Sequence, residues 1–249
     1  MNLLKDKLNS NEVARGGWVQ LAHPGIVEIF GNAGFDWICL DLQHGVFNKE
    51  TLVNLIPIIE KYYMTPVVRL PSKSLTHISH YLDMGFKGII VPDIQTAEEA
   101  QAIVDALRLP PVGKRSFGYC RNNHYGQYFE DWCEHSTEST AIIMQIEHVD
   151  ALNNLDAILR IDGVDATFIG PLDLRGSIDI NMDPLLFKKM IDRYLDVCHE
   201  HSKPPGMHIV DVSEQSIINA VREGYKMLAL GTDTIFLREM ARKVMEYGT

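Results

Sequence analysis

Cysteine is scarce in this chain, with four in 249 residues, at positions 39, 120, 133 and 198. They form no CxxC pair and show no zinc-like spacing, so neither a disulfide framework nor a structural zinc site is expected. Positive charge is also short. Lys and Arg together number 23 against 33 Asp and Glu, a formal net charge of −10 spread along the chain. Binding to nucleic acid or to an anionic membrane surface needs a basic face and is therefore disfavoured. No apolar run approaches the roughly 18 residues of a membrane span. The amino-terminal MNLLKDKLNS, with Asp6 and two lysines, does not read as a signal peptide. A soluble cytoplasmic protein is the expectation. The nucleotide-loop pattern GxGxxG is missing where a doubly wound sheet would carry it, in LAHPGIVEIF. Hydrophobic residues make up 46% and charged residues 22%, values of a well-buried globular chain, and one domain over residues 1–249 is expected.

Against these absences stand eight short apolar runs. They are Trp18–Ala22, Trp37–Leu40, Pro66–Leu70, Gly88–Val91, Ala141–Ile146, Ala166–Ile169, Gly206–Val210 and Met227–Leu230. Each has four to six residues, as strands buried on both faces should. Amphipathic stretches separate them, including Lys49–Tyr63, Ser72–Met84, Thr96–Leu107, Pro184–His201 and Ser213–Glu223. Thr96 with Glu99 matches a capping box, and Gly34, Gly85, Gly163 and Gly224 stand where helices should end. Eight strands alternating with helices predict a (β/α)8 TIM barrel. One long connection, Leu109–Tyr125, interrupts the pattern and is expected to serve function.

Chemistry in such a barrel gathers at the carboxyl ends of the strands. There the sequence places Asp41, Gln43 and His44, then Arg69, Asp93, Gln145 with Glu147, and Asp173. Glu147 and Asp173 follow neighbouring strands, which lie roughly 5 Å apart. Either acid alone could equally cap a helix. Together they point to a hard divalent cation such as Mg²⁺ or Mn²⁺. Arg69 must find an anion, either Asp41 or Asp93 in a structural pair or, the preferred reading, a substrate carboxylate or enolate oxygen. His44 is the candidate general base, ahead of His23, His124, His148 and His208. No lysine projects from a strand: Lys87, Lys203 and Lys226 precede strands, Lys49, Lys61 and Lys73 belong to helices or their starts, and Lys114 to the long loop. Schiff-base catalysis is thus disfavoured, leaving electrophilic work to a metal. Arg115, Arg121 and Tyr125 are candidates either for holding an acidic or hydroxylated substrate tail or for ordering the loop.

The segments AGFDWICLDLQHG, TPVVRLP, DMGFKGIIVPDIQTAEEA, GKRSFGYCRNNHYG, MQIEHVDALNNLDAIL, VDATFIGPLDL and LGTDTIFL cover nearly the whole chain. In this order they resemble the HpcH/HpaI aldolase and citrate lyase family, in particular its metal-dependent pyruvate aldolase branch. The resemblance implies a barrel of the phosphoenolpyruvate/pyruvate type whose carboxyl-terminal helix is exchanged between subunits, usually in a hexamer built as a trimer of dimers. It implies metal ligands at Glu147 and Asp173 for Mg²⁺, Mn²⁺ or Co²⁺, and a catalytic histidine at His44. Asp41 and Asp83 would orient or support that histidine. Arg69 and Gln145 would flank the pyruvyl group, and the backbone of Gly170, Pro171 and Leu172 would cradle its carboxylate. The implied reaction cleaves a 4-hydroxy-2-oxo acid to pyruvate and an aldehyde through a metal-stabilised enolate. A CoA-ester lyase or an oxaloacetate decarboxylase built on the same site is the alternative. Two positions depart from the family pattern: Gln43, where Glu is common, and Arg175, where Ser is usual.

Overall fold

The structure is a computed structural model that describes residues 2–247. Among these residues, eight parallel strands close into a barrel in chain order. They are β1 (Ala14–Val19), β2 (Trp37–Asp41), β3 (Thr65–Arg69), β4 (Gly88–Val91), β5 (Ala141–Ile146), β6 (Ala166–Ile169), β7 (Pro205–Ile209) and β8 (Met227–Thr232). Outside them run α1 (Leu3–Asn9), α2 (Pro24–Asn32), α3 (Lys49–Lys61), α4 (Ile78–Met84), α5 (Ala97–Leu107) and α6 (Phe129–Ser139). The second half adds α7 (Val149–Asn153), α8 (Leu155–Leu159), α9 (Pro171–Gly176), α10 (Pro184–Glu200), α11 (Glu214–Glu223) and α12 (Asp233–Met245). The TIM barrel expected from the sequence is thus the fold. No helix among the described residues is long and apolar enough to cross a membrane.

Strand side chains alternate between two apolar layers. Ile38, Leu40, Val68, Ile89, Ile142 and Met144 face outward into the core beneath the helices. Trp37, Cys39, Val67, Ile90, Ile143 and Phe168 fill the barrel's interior. The inward parity, carried to the carboxyl ends, brings Trp18, Asp41, Arg69, Gln145 and His208 into one upper layer. At the other end, α1 closes the barrel. Its Leu4 and Leu8 join the interior cluster, and Lys5 Nζ reaches Asp165 at 3.0 Å.

Three boundaries differ from expectation by more than two residues, each for a local reason. β1 begins at Ala14 rather than Trp18, because the glycines that look like a break are part of the strand. A Cβ on Gly16 would lie 2.0 Å from the Trp37 ring, so only glycine lets the two strands pair there. The strand ends at Val19, where the N–H groups of Gln20 and Leu21 turn to the Asp233 carboxylate at 3.0 and 2.8 Å. The helix expected from Ser72 begins only at Ile78, since the Ser72 and Ser74 hydroxyls accept N–H groups two residues on and hold the segment in turns. At α5, Thr96 caps the Glu99 N–H at 3.2 Å as expected, but the Glu99 side chain takes the N–H of Gln95 instead of completing the box.

α12 starts against the barrel, with Asp233 buried. Its later residues Leu237, Met240, Val244 and Met245 are exposed.

Candidate active site

The carboxyl-end mouth of the barrel holds a cleft of about 560 Å³ whose lining includes Trp18, Arg69, Gln145, Gly170, Asp173 and His208. A wider groove of about 800 Å³ runs along α12, but no residue of the upper polar layer lines it.

Asp41 and Arg69 sit opposite each other in the β2–β3 register. The guanidinium donates from Nε to Asp41 Oδ1 at 2.9 Å and from Nη2 to Oδ2 at 2.8 Å, a two-pronged pair in which Asp41 is fully buried. Burial alone would raise the Asp41 pKa. Hydrogen bonds and charge from Arg69, with help from Gln20 and Trp18, outweigh it and bring the carboxyl down to about 2. The structural pairing weighed for Arg69 therefore exists, while Arg69 also faces the cleft. Its guanidinium lies 4.9 Å from the Trp18 ring centroid, which backs the cation from below. Asp41 Oδ1 also accepts the backbone N–H groups of Gln43 and His44 at 3.1 and 3.3 Å. Asp41 thus shapes the turn that carries His44, whose imidazole is exposed on the rim.

Glu147 is buried just beyond β5. Its Oε1 accepts the Asp93 backbone N–H at 2.7 Å, and its Oε2 accepts Gln145 Nε2 at 2.5 Å. Desolvation raises its pKa, and the Asp173 charge adds to the rise despite the Asp93 N–H. Asp93 itself contributes its backbone rather than its carboxylate. It lies in the left-handed region at φ 55°, held there by Lys73 Nζ on its carbonyl (2.8 Å) and by Gln95 Nε2 on its carboxylate (2.6 Å). Gly170 passes directly over this pair: a Cβ there would lie 2.9 Å from Glu147 Cβ and 3.0 Å from its Oε2. Asp173 follows in the first turn of α9, exposed at the cleft.

Among the described residues no three His, Cys, Asp or Glu side chains converge as a ready cation cage. Two carboxylates, one destabilised by the other's charge, nevertheless suit a hard cation that keeps open positions. Gln145 Oε1, buried without a hydrogen-bond partner, supplies a further oxygen beside them.

Other candidates fall elsewhere. Asp83, on α4, pairs with Arg115 at 2.7 Å, and Arg115 is almost fully buried. Arg121 pairs with Glu60, and Tyr125 is exposed beside Lys49 and Asp83. Within this chain the Leu109–Tyr125 connection is therefore tied to α3 and α4 and sends neither arginine into the cleft. Arg175 donates to the Met182 carbonyl at 2.6 Å and covers the Phe187 ring, fastening the segment after α9. Gln43 is half-buried with its Oε1 unpartnered. Lys73 is a rim residue rather than part of a helix start. It is bound to Asp93 and Glu99 at 3.2 and 2.7 Å, contacts that raise its pKa against the cost of burial and keep it protonated, not nucleophilic.

His23 and His148 cap helices and His124 packs on Tyr128, in keeping with their lower rank. His208 lines the cleft. It stacks on Trp18 at 5.1 Å, bonds Thr232 Oγ1 through Nε2 at 3.2 Å, and is held near pKa 4 chiefly by burial. The inward parity of HIV at the end of β7 was the available signal.

Residues 15–239 match the family model described as HpcH/HpaI aldolase/citrate lyase. The chain is 34% identical over 241 residues to a 4-hydroxy-2-oxovalerate aldolase of Novosphingobium aromaticivorans, covering 94% of this chain and 89% of that protein. It is 31% identical over 248 residues to a 5-keto-4-deoxy-D-glucarate aldolase of Shigella sonnei, covering 98% and 96%. The crystal structure of an HpcH/HpaI aldolase/citrate lyase family protein from Burkholderia cenocepacia superposes with a TM-score of 0.91 at 25% identity, covering 99% of this chain and 98% of that one. With the closed barrel and the sequence match in agreement, the chain belongs to the HpcH/HpaI aldolase/citrate lyase family of carbon–carbon lyases.

Proposed function

We propose that the cleft cleaves a 4-hydroxy-2-oxo acid into pyruvate and an aldehyde, and runs the aldol addition in reverse. The observation that carries this reading is that Gln145, Asp173 and Arg69 line one cleft while Glu147, bonded to Gln145 and within reach of the Asp173 charge, lies buried behind it, giving acids that suit a cation and a guanidinium that suits an oxyanion. Mg²⁺, Mn²⁺ or Co²⁺ held by Glu147 and Asp173 would supply Lewis-acid polarisation of the 2-oxo group. Arg69 spends Nε and Nη2 on Asp41, which leaves Nη1 for the oxygen on which enolate charge develops. Gln145 flanks the keto acid. Pro171 carries no N–H, so the open N–H groups of the first turn of α9, from Leu172 onward, are the ones offered to its carboxylate. His44 accepts the 4-hydroxyl proton as the C3–C4 bond breaks and the aldehyde departs. The enolate then takes a proton at C3 and leaves as pyruvate. Asp41 positions His44 through the turn, and Asp83 would act on it only from outside the cleft described for this chain.

The exposed apolar side of α12, with Leu237, Met240 and Val244, supports exchange of this helix between subunits of a hexamer. Sedimentation of the full chain tests it, and a monomer with unchanged activity would refute it.

The function is tested by following C3–C4 cleavage of 4-hydroxy-2-oxo acids together with hydrogen–deuterium exchange at the methyl of pyruvate, before and after exhaustive chelation. Both activities should vanish with EDTA and return with Mn²⁺. Survival of both after chelation, or trapping of pyruvate on the protein by borohydride, would overturn the mechanism.

A further inference from the structure

We infer that the aldehyde released at this site carries no carboxylate, its carbon chain lying between Leu172 and Val210. The inference rests on the aldolase reading and adds to it the charge class of the second substrate. The two kinds of relative differ in this respect: 4-hydroxy-2-oxovalerate ends in a methyl group, whereas 5-keto-4-deoxy-D-glucarate ends in a second carboxylate.

Three sets of observations point to the first class. The cleft leaves the keto-acid end between β6 and β7, where its walls are apolar. Leu172 is 76% exposed on one lip and Val210 53% exposed on the other, with Met207 and Phe168 deeper. Exposed aliphatic surface at a catalytic mouth gains from covering by a hydrocarbon tail.

The charge on this side is negative. Asp211 lines the cleft, and its carboxylate is met by the Ser213 and Ser216 hydroxyls at 3.4 and 3.2 Å rather than by a cation. A substrate carboxylate placed there would meet like charge in a partly enclosed space.

Arg69 is the one cation in the cleft lining among the described residues; Arg238, Arg242 and Lys243 line the separate groove along α12, and the other cations near the mouth are committed. Arg69 holds Asp41, Arg115 holds Asp83, Arg121 holds Glu60, and Arg175 binds the Met182 carbonyl. Lys73, on the opposite rim, sits between Asp93 and Glu99. His208 faces the cleft as a neutral imidazole at neutral pH, able to bond a hydroxyl but not to balance an anion.

The test uses the full-length, Mn²⁺-loaded protein in its native assembly, with pyruvate and one of two aldehydes, propanal or 4-oxobutanoate. Methyl exchange of pyruvate is measured in the same samples. Propanal should be favoured in kcat/KM by about tenfold or more. Val210→Arg should raise turnover of 4-oxobutanoate and lower that of propanal, narrowing the preference by about tenfold. Equal or reversed preference in the unaltered protein overturns the inference. So does pyruvate exchange without consumption of either aldehyde, which leaves the enolate chemistry standing. Loss of exchange along with both condensations would instead sink the aldolase reading itself, and the inference with it.

Discussion

Deleting the negative charge of Asp41 while keeping its shape probes the centre of the site. Asp41→Asn retains an oxygen for the Gln43 and His44 N–H groups but strips Arg69 of its only anionic partner among the described residues. The fall of the Asp41 pKa from 3.8 to about 2 corresponds to about 2 kcal/mol of stability at neutral pH. Because the folded value lies below the unfolded one, that stabilisation is fully present above about pH 4 and is lost as pH falls through about 2. Removing one partner costs more than the pair is worth, since it leaves a guanidinium of 12% exposure unmatched; about 3 to 5 kcal/mol is expected. The double variant Asp41→Asn/Arg69→Met removes both charges and should be more stable than Asp41→Asn alone. Urea unfolding at one fixed protein concentration, at pH 7 and at pH 3, measures all three proteins. If Asp41→Asn unfolds within about 0.5 kcal/mol of the unaltered chain at pH 7, or the double variant is the weakest, the ion pair does not have the role given to it.

His44→Ala should lower kcat for cleavage by about 10² to 10⁴ while leaving pyruvate methyl exchange largely intact, because the proton it handles is on the 4-hydroxyl; equal loss of both, followed by NMR, would reassign it. Glu147→Gln should weaken Mn²⁺ binding by more than about tenfold on losing a charged ligand, read by electron paramagnetic resonance of free Mn²⁺; undiminished affinity would move the ligand elsewhere. Gly16→Ala should destabilise the barrel by about 1 to 3 kcal/mol or more, given a Cβ 2.0 Å from the Trp37 ring, and an unchanged melting temperature would contradict that packing.

The barrel was legible because its strands are doubly buried and its helices amphipathic, so periodicity alone separates them. Where glycine served packing, as at Gly16, the same reading faltered, since one sequence shows no partner ring. Glu147, Asp173 and Arg69 could be placed at one rim because strand ends are countable. The Arg69–Asp41 partnership was weighed but not preferred, because register between strands is not written in either strand. Asp93 is placed at the rim by the sequence, but that it meets Glu147 through its N–H depends on a backbone conformation that composition does not reveal. For Arg115 and Arg121 the sequence leaves substrate holding and loop ordering equally open, because a loop's destination depends on contacts with α3 and α4 that sequence distance hides; the structure shows the ordering contacts. His208 was discounted for want of charged company nearby in the chain, whereas its company is Trp18 and Thr232 across the barrel closure.

The exposed pair Leu172 and Val210 has an evolutionary consequence. Neither side chain is part of the buried core, so the folded state is nearly indifferent to what occupies these positions. Asp41, Arg69, Gln145 and Glu147, on or just beyond β2, β3 and β5, are by contrast locked by register, burial and interlocking hydrogen bonds. Variation can therefore accumulate at the two lips without touching either the scaffold or the bond-breaking groups. On the proposed function, a lineage with this layout can change the aldehyde it releases while keeping the keto acid, and directed libraries confined to those lips should yield folded, active variants at high frequency.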